Sequence, residues 1–151
     1  MGNMLIKGLV LKKEKESVKV ESYNGNLYRV VIPSIFQKRN VNIIGIRAFK
    51  WCVNTNIIKI PNTVTIIDQE AFMNCFSLKE IIIPKDVTYI GRRAFANCMS
   101  LEKVTFLGDK CTLAENAFLN CKKLKYVNIN NIKNYKENSF VNCDLLNKIM
   151  M

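Results

Sequence analysis

The chain has 151 residues, 49% of them apolar and 23% charged, with six glycines and three prolines, which suits one globular domain and excludes a disordered or collagen-like chain. No segment reaches the roughly 18 consecutive apolar residues of a membrane-spanning helix, so no membrane insertion is expected, and the absence of histidine removes the commonest general base and metal ligand. The formal charge of +11 admits an acidic partner, but the basic residues are spread along the whole chain, which favours a solvated surface over a phosphate-binding groove.

At the N-terminus, Lys7 and then Lys12 and Lys13 interrupt the apolar run that a secretory signal would need, and Ile6 stands where myristoylation would want Ser or Thr. Leu5 to Leu11 and Ser17 to Val20 alternate around the charged bend Lys12-Lys13-Glu14-Lys15-Glu16, predicting paired strands. Tyr23-Asn24-Gly25-Asn26 supplies Asn-Gly turn chemistry. Val30-Val31-Ile32-Pro33 then ends in a strand-proline pattern that recurs downstream, with Ser34 to Asn40 lengthening the return. Residues 1–40 are read as an N-terminal β-hairpin cap with a half-repeat, and residues 41–151 as an array of five repeats, all within one domain.

The array is written in several positions at once. Ala48-Phe49, Ala71-Phe72, Ala94-Phe95, Ala117-Phe118 and Ser139-Phe140 recur at spacings of 23, 23, 23 and 22. Cys52, Cys75, Cys98, Cys121 and Cys143 follow each Phe by three, and Ile44, Ile67, Ile90, Leu113 and Tyr135 precede it by five. Leu78, Leu101, Leu124 and Leu146 come next, then the alternating pairs Ile58/Ile60, Ile81/Ile83, Val104/Phe106, Val127/Ile129 and Ile149/Met151, each predicting a short strand. Pro61 and Pro84 end two of these strands, because proline has no N–H for a ladder. A unit this short cannot bury its own apolar residues, so successive coils must stack around a shared core. The fifth unit stops within its strand, leaving an edge open to self-association.

The unit Ile-Gly-x-x-Ala-Phe-x-x-Cys-x-x-Leu-x-x-Ile-x-Ile-Pro-x-x-Val resembles the BspA-type leucine-rich repeat, best over Ile67 to Val87 and Ile90 to Val104. The resemblance covers roughly Val30 to Ile149 and implies a right-handed β-lined solenoid, α/β or mainly β with short helical turns, used for adhesion or protein binding without catalysis. It further implies an extracellular or cell-surface setting, whereas the N-terminal residues in hand point to a cytoplasmic one. Trp51 departs from the pattern where Asn74, Asn97, Asn120 and Asn142 precede the other cysteines; Thr55 replaces a repeat leucine, and Leu107 and Asn130 replace prolines.

No C-x-x-C pair, glycine-rich phosphate loop or nucleophile elbow is present, so no metal, cofactor or catalytic residue is assigned. The periodic cysteines read as a buried ladder, because stacked equivalents have parallel Cβ vectors unsuited to a disulfide. Cys111 reads as a substitute for a repeat valine. The asparagine row reads as bonding to backbone of its own or adjacent coils. Trp51 either packs under the N-terminal cap or stands as an interface anchor.

With alternate strand residues facing the core, the others form two outward rows, Lys59, Ile82, Thr105 and Asn128, and Ile57, Glu80, Lys103, Tyr126 and Lys148. These rows and Trp51 are the candidate surface for a protein partner. Nucleic acid or another acidic polymer is the alternative partner, on the ground of the net charge, and a structural piece of a longer repeat protein is a further alternative. Five strands at about 4.8 Å spacing make a strip of roughly 300 Å², small against the roughly 800 Å² per partner of a stable interface, so weak binding is expected of the strip alone.

Overall fold

The computed structural model describes residues 4–146 and is built almost wholly of short strands and turns. β1 (Met4–Ile6), β2 (Leu9–Lys13) and β3 (Val18–Tyr23) form an antiparallel meander, closed at the charged bend by Glu14 N–H donating to Ser17 O at 2.9 Å. Leu9, Leu11, Val18, Val20 and Tyr23 alternate onto the buried face of this cap.

The Asn-Gly turn chemistry at 24–25 is not used for a turn. Past Tyr23 the chain crosses to β4 (Arg29–Val31), which lies in a different sheet. Gly25 sits so close to the Tyr23 ring that a Cβ there would fall 2.5 Å from Oη, so glycine is required for close approach and not for a turn. The insertion in 34–40 is a hairpin of its own, β5 (Ile35–Phe36) against β6 (Arg39–Ile44). Its two turn residues, Gln37 and Lys38, have φ of 48° and 65°, the left-handed pair that a two-residue turn matched to strand twist demands.

From β6 onward the chain coils. One side of each coil is a strand of a continuous parallel ladder: β6, β8 (Ile66–Ile67), β10 (Tyr89–Ile90), β12 (Cys111–Leu113) and β14 (Ile132–Asn134), joined to the cap through β3. The opposite side carries β7 (Ile57–Lys59), β9 (Glu80–Ile83), β11 (Lys103–Phe106) and β13 (Tyr126–Val127), the strands expected from the alternating pairs. Cap strand β4 pairs with β7 in parallel.

The third side is a column of turns around Ala/Ser-Phe. Phe49 N–H donates to Ala71 O, Phe72 N–H to Ala94 O, Phe95 N–H to Ala117 O and Phe118 N–H to Ser139 O, all at 2.7 or 2.8 Å. Phe49, Phe72, Phe95, Phe118 and Phe140 stack with ring centroids 5.0 to 5.3 Å apart, and Tyr23 of the cap begins the stack 5.3 Å from Phe49. Burial of each such ring contributes on the order of 1.5–3 kcal/mol, and because each touches only its neighbours the stack couples coil to coil.

All six cysteines are buried and free. Cys75, Cys98, Cys121 and Cys143 each donate Sγ–H to the carbonyl of a Phe one coil back, Phe49, Phe72, Phe95 and Phe118, at 3.1 to 3.3 Å. The thiol thus fills a small buried site and adds a second donor to a carbonyl that already accepts the N–H of the cysteine in its own turn, as Phe72 O does from Cys75 at 3.3 Å.

The fifth coil departs from the pattern. Its one-residue contraction puts Tyr135 half in solvent, edge-on to Phe140 at 6.1 Å, while Ile44, Ile67, Ile90 and Leu113 are all buried at the corresponding place. Ile132 is the buried residue of this coil's strand instead. The strand expected at Ile149 to Met151, its open edge, and Lys148 lie outside the described residues.

Candidate functional site: the strand-lined face

The pleat turns alternate residues of β7, β9, β11 and β13 outward. Lys59 and Ile82 of the first row are exposed, and Thr105 and Asn128 are half-buried; Ile57, Glu80, Lys103 and Tyr126 of the second are exposed. The large apolar side chains are the unusual ones: Ile82 is 56% and Tyr126 48% exposed, with Ile57 beside them, on a strip whose other outward residues are polar. Lys103 lies with its ammonium 5.5 Å from the Tyr126 ring centroid, and Lys125 pairs with Glu102 at 3.4 Å.

Asn128 has a structural task that its row position did not signal. Its Nδ2 donates to Phe106 O and its Oδ1 accepts from Phe106 N–H, both at 2.8 Å, so the side chain extends the ladder where β13 has ended. The chain turns there into a short 3-10 segment, Ile129–Asn131, instead of running on as strand.

Apolar surface gathers at the cap end of the face. Tyr28, Val31, Ile57, Ile82 and Leu107 are all exposed. Ile57, Ile60 and Ile82 line a cavity of about 550 Å³ walled by Tyr28 and Leu107, within the roughly 300–1,000 Å³ range of ligand pockets. Sequence periodicity marked Ile57 and Ile82, but not Tyr28, Val31 or Leu107, which belong to the half-repeat and to a position where proline was expected.

Trp51 does not pack under the cap. It is 59% exposed and meets Phe76 of the next coil edge-to-face at 5.7 Å. Its φ is +66°, in the left-handed region that Asn74, Asn97, Asn120 and Asn142 share at φ between 58° and 64°. Asparagine tolerates that conformation and tryptophan does not do so readily.

The asparagines bond to one another and not to backbone. Asn97 Nδ2 donates to Asn74 Oδ1, Asn120 Nδ2 to Asn97 Oδ1 and Asn142 Nδ2 to Asn120 Oδ1, at 2.7 to 2.8 Å. A row of amides so engaged is a stacking device.

Arg47, Glu70, Arg93 and Asn116 form a second left-handed row, at φ of 55° to 59°. Glu70 is buried and accepts from Arg47 Nε and Lys50 Nζ on the same oxygen, both at 2.8 Å. The Arg47 and then the Lys50 hydrogen bonds hold its carboxyl down at about 2. Burial lifts the Cys111 thiol to about 12, the reverse of what a reactive thiol needs. Among the described residues no cluster of three His, Cys, Asp or Glu side chains is placed to hold a metal ion, and no helix is long and apolar enough to cross a membrane.

A family model for the BspA type leucine rich repeat region matches residues 42–151 in 6 copies, one more than the five Phe-spaced units. No curated protein matches the chain. Among solved structures, a leucine-rich repeat protein from Bacteroides ovatus is similar at 28% identity and a TM-score of 0.65, aligning 82% of this chain with 40% of that one. The T. pallidum leucine-rich repeat protein is 20% identical with a TM-score of 0.66, aligning 96% of this chain with 91% of that one. A leucine-rich cell surface protein from Faecalibacterium prausnitzii is 20% identical with a TM-score of 0.55, over 97% of this chain and 53% of that one. The chain therefore spans less than half the length of the Bacteroides ovatus protein, while the two 20% likenesses carry the fold alone. With a repeat match over more than two thirds of its residues and a strand-lined solenoid to go with it, the chain belongs to the BspA-type leucine-rich repeat family.

Proposed function

We propose that this chain is a protein-interaction module that binds its partner through the strand-lined face, without catalysing a reaction. The exposure of Ile82 and Tyr126 on that face carries the reading. Apolar side chains of this size stay in water at a cost unless a partner covers them, and isoleucine and tyrosine so placed serve as anchors of an interface. Lys59, Glu80, Lys103 and Thr105 supply a polar surround, and Trp51, a strained and exposed aromatic around the corner, is a second anchor. The turn column offers less, since its asparagines are bonded to one another.

A second reading rests on the net charge of +11, which suits an acidic polymer or nucleic acid. Capture of ligands from a source extract at low and high salt separates the two. A protein retained at high salt by the chain and lost with the Ile82→Ala/Tyr126→Ala double variant supports the strand-face reading. Retention of nucleic acid alone, released by salt, supports the second.

A further inference from the structure

The strand-lined face is not one sheet. β9, β11 and β13 form one ladder and β4 with β7 another, and no ladder joins β7 to β9 among the described residues. The same coils are bonded on both other sides, through the β6–β8 pairing and through Phe49 N–H to Ala71 O at 2.7 Å. Among the described residues the strand-lined face is thus interrupted between β7 and β9.

Particular residues border the seam. Leu107 N–H donates to Ile83 O at 3.0 Å, fastening the third coil to the second. One coil earlier the same place is held by Pro84, which has no N–H to donate, so this bond of the seam is unmade; Pro61 likewise lacks it towards the cap, where β4 and β7 pair all the same. β7 is meanwhile held towards the cap: Thr55 Oγ1, standing where other coils have leucine, donates to Leu27 O at 2.9 Å, and Asn54 Nδ2 donates to Asn26 Oδ1 at 2.7 Å. Ile32 N–H donates to Lys59 O at 3.0 Å from the same side. The 550 Å³ cavity lies over this seam, with Lys59, Lys79 and Glu80 among its polar lining.

We infer that the seam between β7 and β9 is a docking cleft for an extended acidic peptide, which seats one bulky apolar side chain between Ile57 and Ile82 and sets carboxylates on Lys59 and Lys79. The inference rests on the strand-face reading above and narrows it to one place and one partner chemistry. Size supports it: from Tyr28 to Leu107 the cleft crosses three strand spacings of about 4.8 Å, about 14 Å, which four or five extended residues span at ~3.3 Å each. Charge supports it as well. Neither Lys59 nor Lys79 has an ion-pair partner among the described residues, whereas Glu102, a carboxylate further along the face, is taken by Lys125. Arg29 and Lys103 flank the cleft and extend the positive field along the path of such a peptide, with Glu80 the one opposing charge in the cavity lining. An acidic chain with one apolar anchor complements both the walls and the rim; a basic or wholly polar chain complements neither.

Panning a displayed library of random decapeptides against the full chain tests the inference directly. The selected sequences are expected to share one aromatic or long aliphatic residue with Asp or Glu on both sides. Binding of a labelled selected peptide should weaken about tenfold or more in Ile82→Glu and in the Lys59→Glu/Lys79→Glu pair, and change less than about twofold in Tyr126→Ala. Ile82, Lys59 and Lys79 are exposed, so the variants should melt as the parent does, and a melting curve for each checks this. Failure to select any peptide, selection of peptides without acidic residues, or binding indifferent to Ile82→Glu overturns the inference. Loss in Tyr126→Ala without loss in Ile82→Glu overturns the cleft and leaves the strand face standing; indifference to all of these substitutions removes both.

Discussion

Asn97 donates its side-chain amide to Asn74 Oδ1 one coil back and accepts at its own Oδ1 from Asn120 one coil on, both at 2.8 Å. Its backbone is left-handed, at φ 59°. The residue thus satisfies two demands, a side chain that can both donate and accept, and tolerance of positive φ. Substitutions separate them. Asn97→Gly removes the two hydrogen bonds and keeps the backbone at ease, whereas Asn97→Ala removes the bonds and adds left-handed strain of about 1 kcal/mol. Urea unfolding should find Asn97→Ala the less stable of the two by about that amount; equal stabilities would show that the conformational demand is absent.

Trp51 is the same position with the wrong side chain for it. Trp51→Asn relieves the strain at φ 66° and presents an amide to Asn74, at the loss of the edge contact with Phe76. A net gain of about 1 kcal/mol is expected in thermal unfolding. If Trp51 serves as an anchor, the same variant binds the partner more weakly while folding more firmly, a trade that a structural tryptophan would not show.

Glu70 makes stability depend on acid. Its carboxyl is held at about 2 in the folded chain against an ordinary value of 4.5. A folded value below the unfolded one gives stabilisation that is full above the unfolded pKa and is lost as pH falls through the folded one. The loss therefore runs from about pH 4.5 down to about pH 2. Arg47 is more than half exposed, so solvent screening leaves this worth on the order of 1–2 kcal/mol. Glu70→Gln should remove that part of the acid dependence in a pH series of unfolding curves; an unchanged profile would assign it elsewhere.

The phenylalanine stack should weaken unequally along its length. Phe95 lies between two rings 5.0 Å away, while the last ring, Phe140, stacks on Phe118 alone. Phe95→Ala should cost about 3–5 kcal/mol and broaden or split the unfolding transition, while Phe140→Ala should cost less.

The cysteines should be silent until the chain unfolds. All six are buried and free, and Cys52 is the least covered of them at 8% exposure. A thiol-reactive dye should label none at neutral pH within the lifetime of the native state and all six in denaturant. Prompt labelling of Cys98 in the folded chain would contradict the buried ladder.

The coil register was legible because Phe, Cys and Leu recur at places where only buried residues fit, and the cap because apolar alternation around Lys12 to Glu16 has one simple reading. The Asn-Gly dipeptide at 24–25 misled, since its glycine answers to the Tyr23 ring and not to a turn. The asparagine row was visible as a row, but its bonding partner depends on how far coils shift against one another, which spacing alone does not encode. The outward rows followed from the pleat, yet Asn128's engagement with Phe106 depends on β13 ending early. The seam was not legible from spacing, since Pro61 stands at the same place in a coil that does pair with its neighbour. Pro84 was read as the end of its own strand, and its missing N–H also leaves the neighbouring coil without a donor.

The most direct test of the central claim is a binding titration of the captured protein partner against the parent chain and the Ile82→Ala/Tyr126→Ala variant, each at low and high salt. An interface centred on the strand-lined face predicts at least about tenfold weaker binding by the variant at both salt concentrations, with little salt dependence in the parent. Equal binding by parent and variant, or parent affinity that collapses as salt rises, would contradict it.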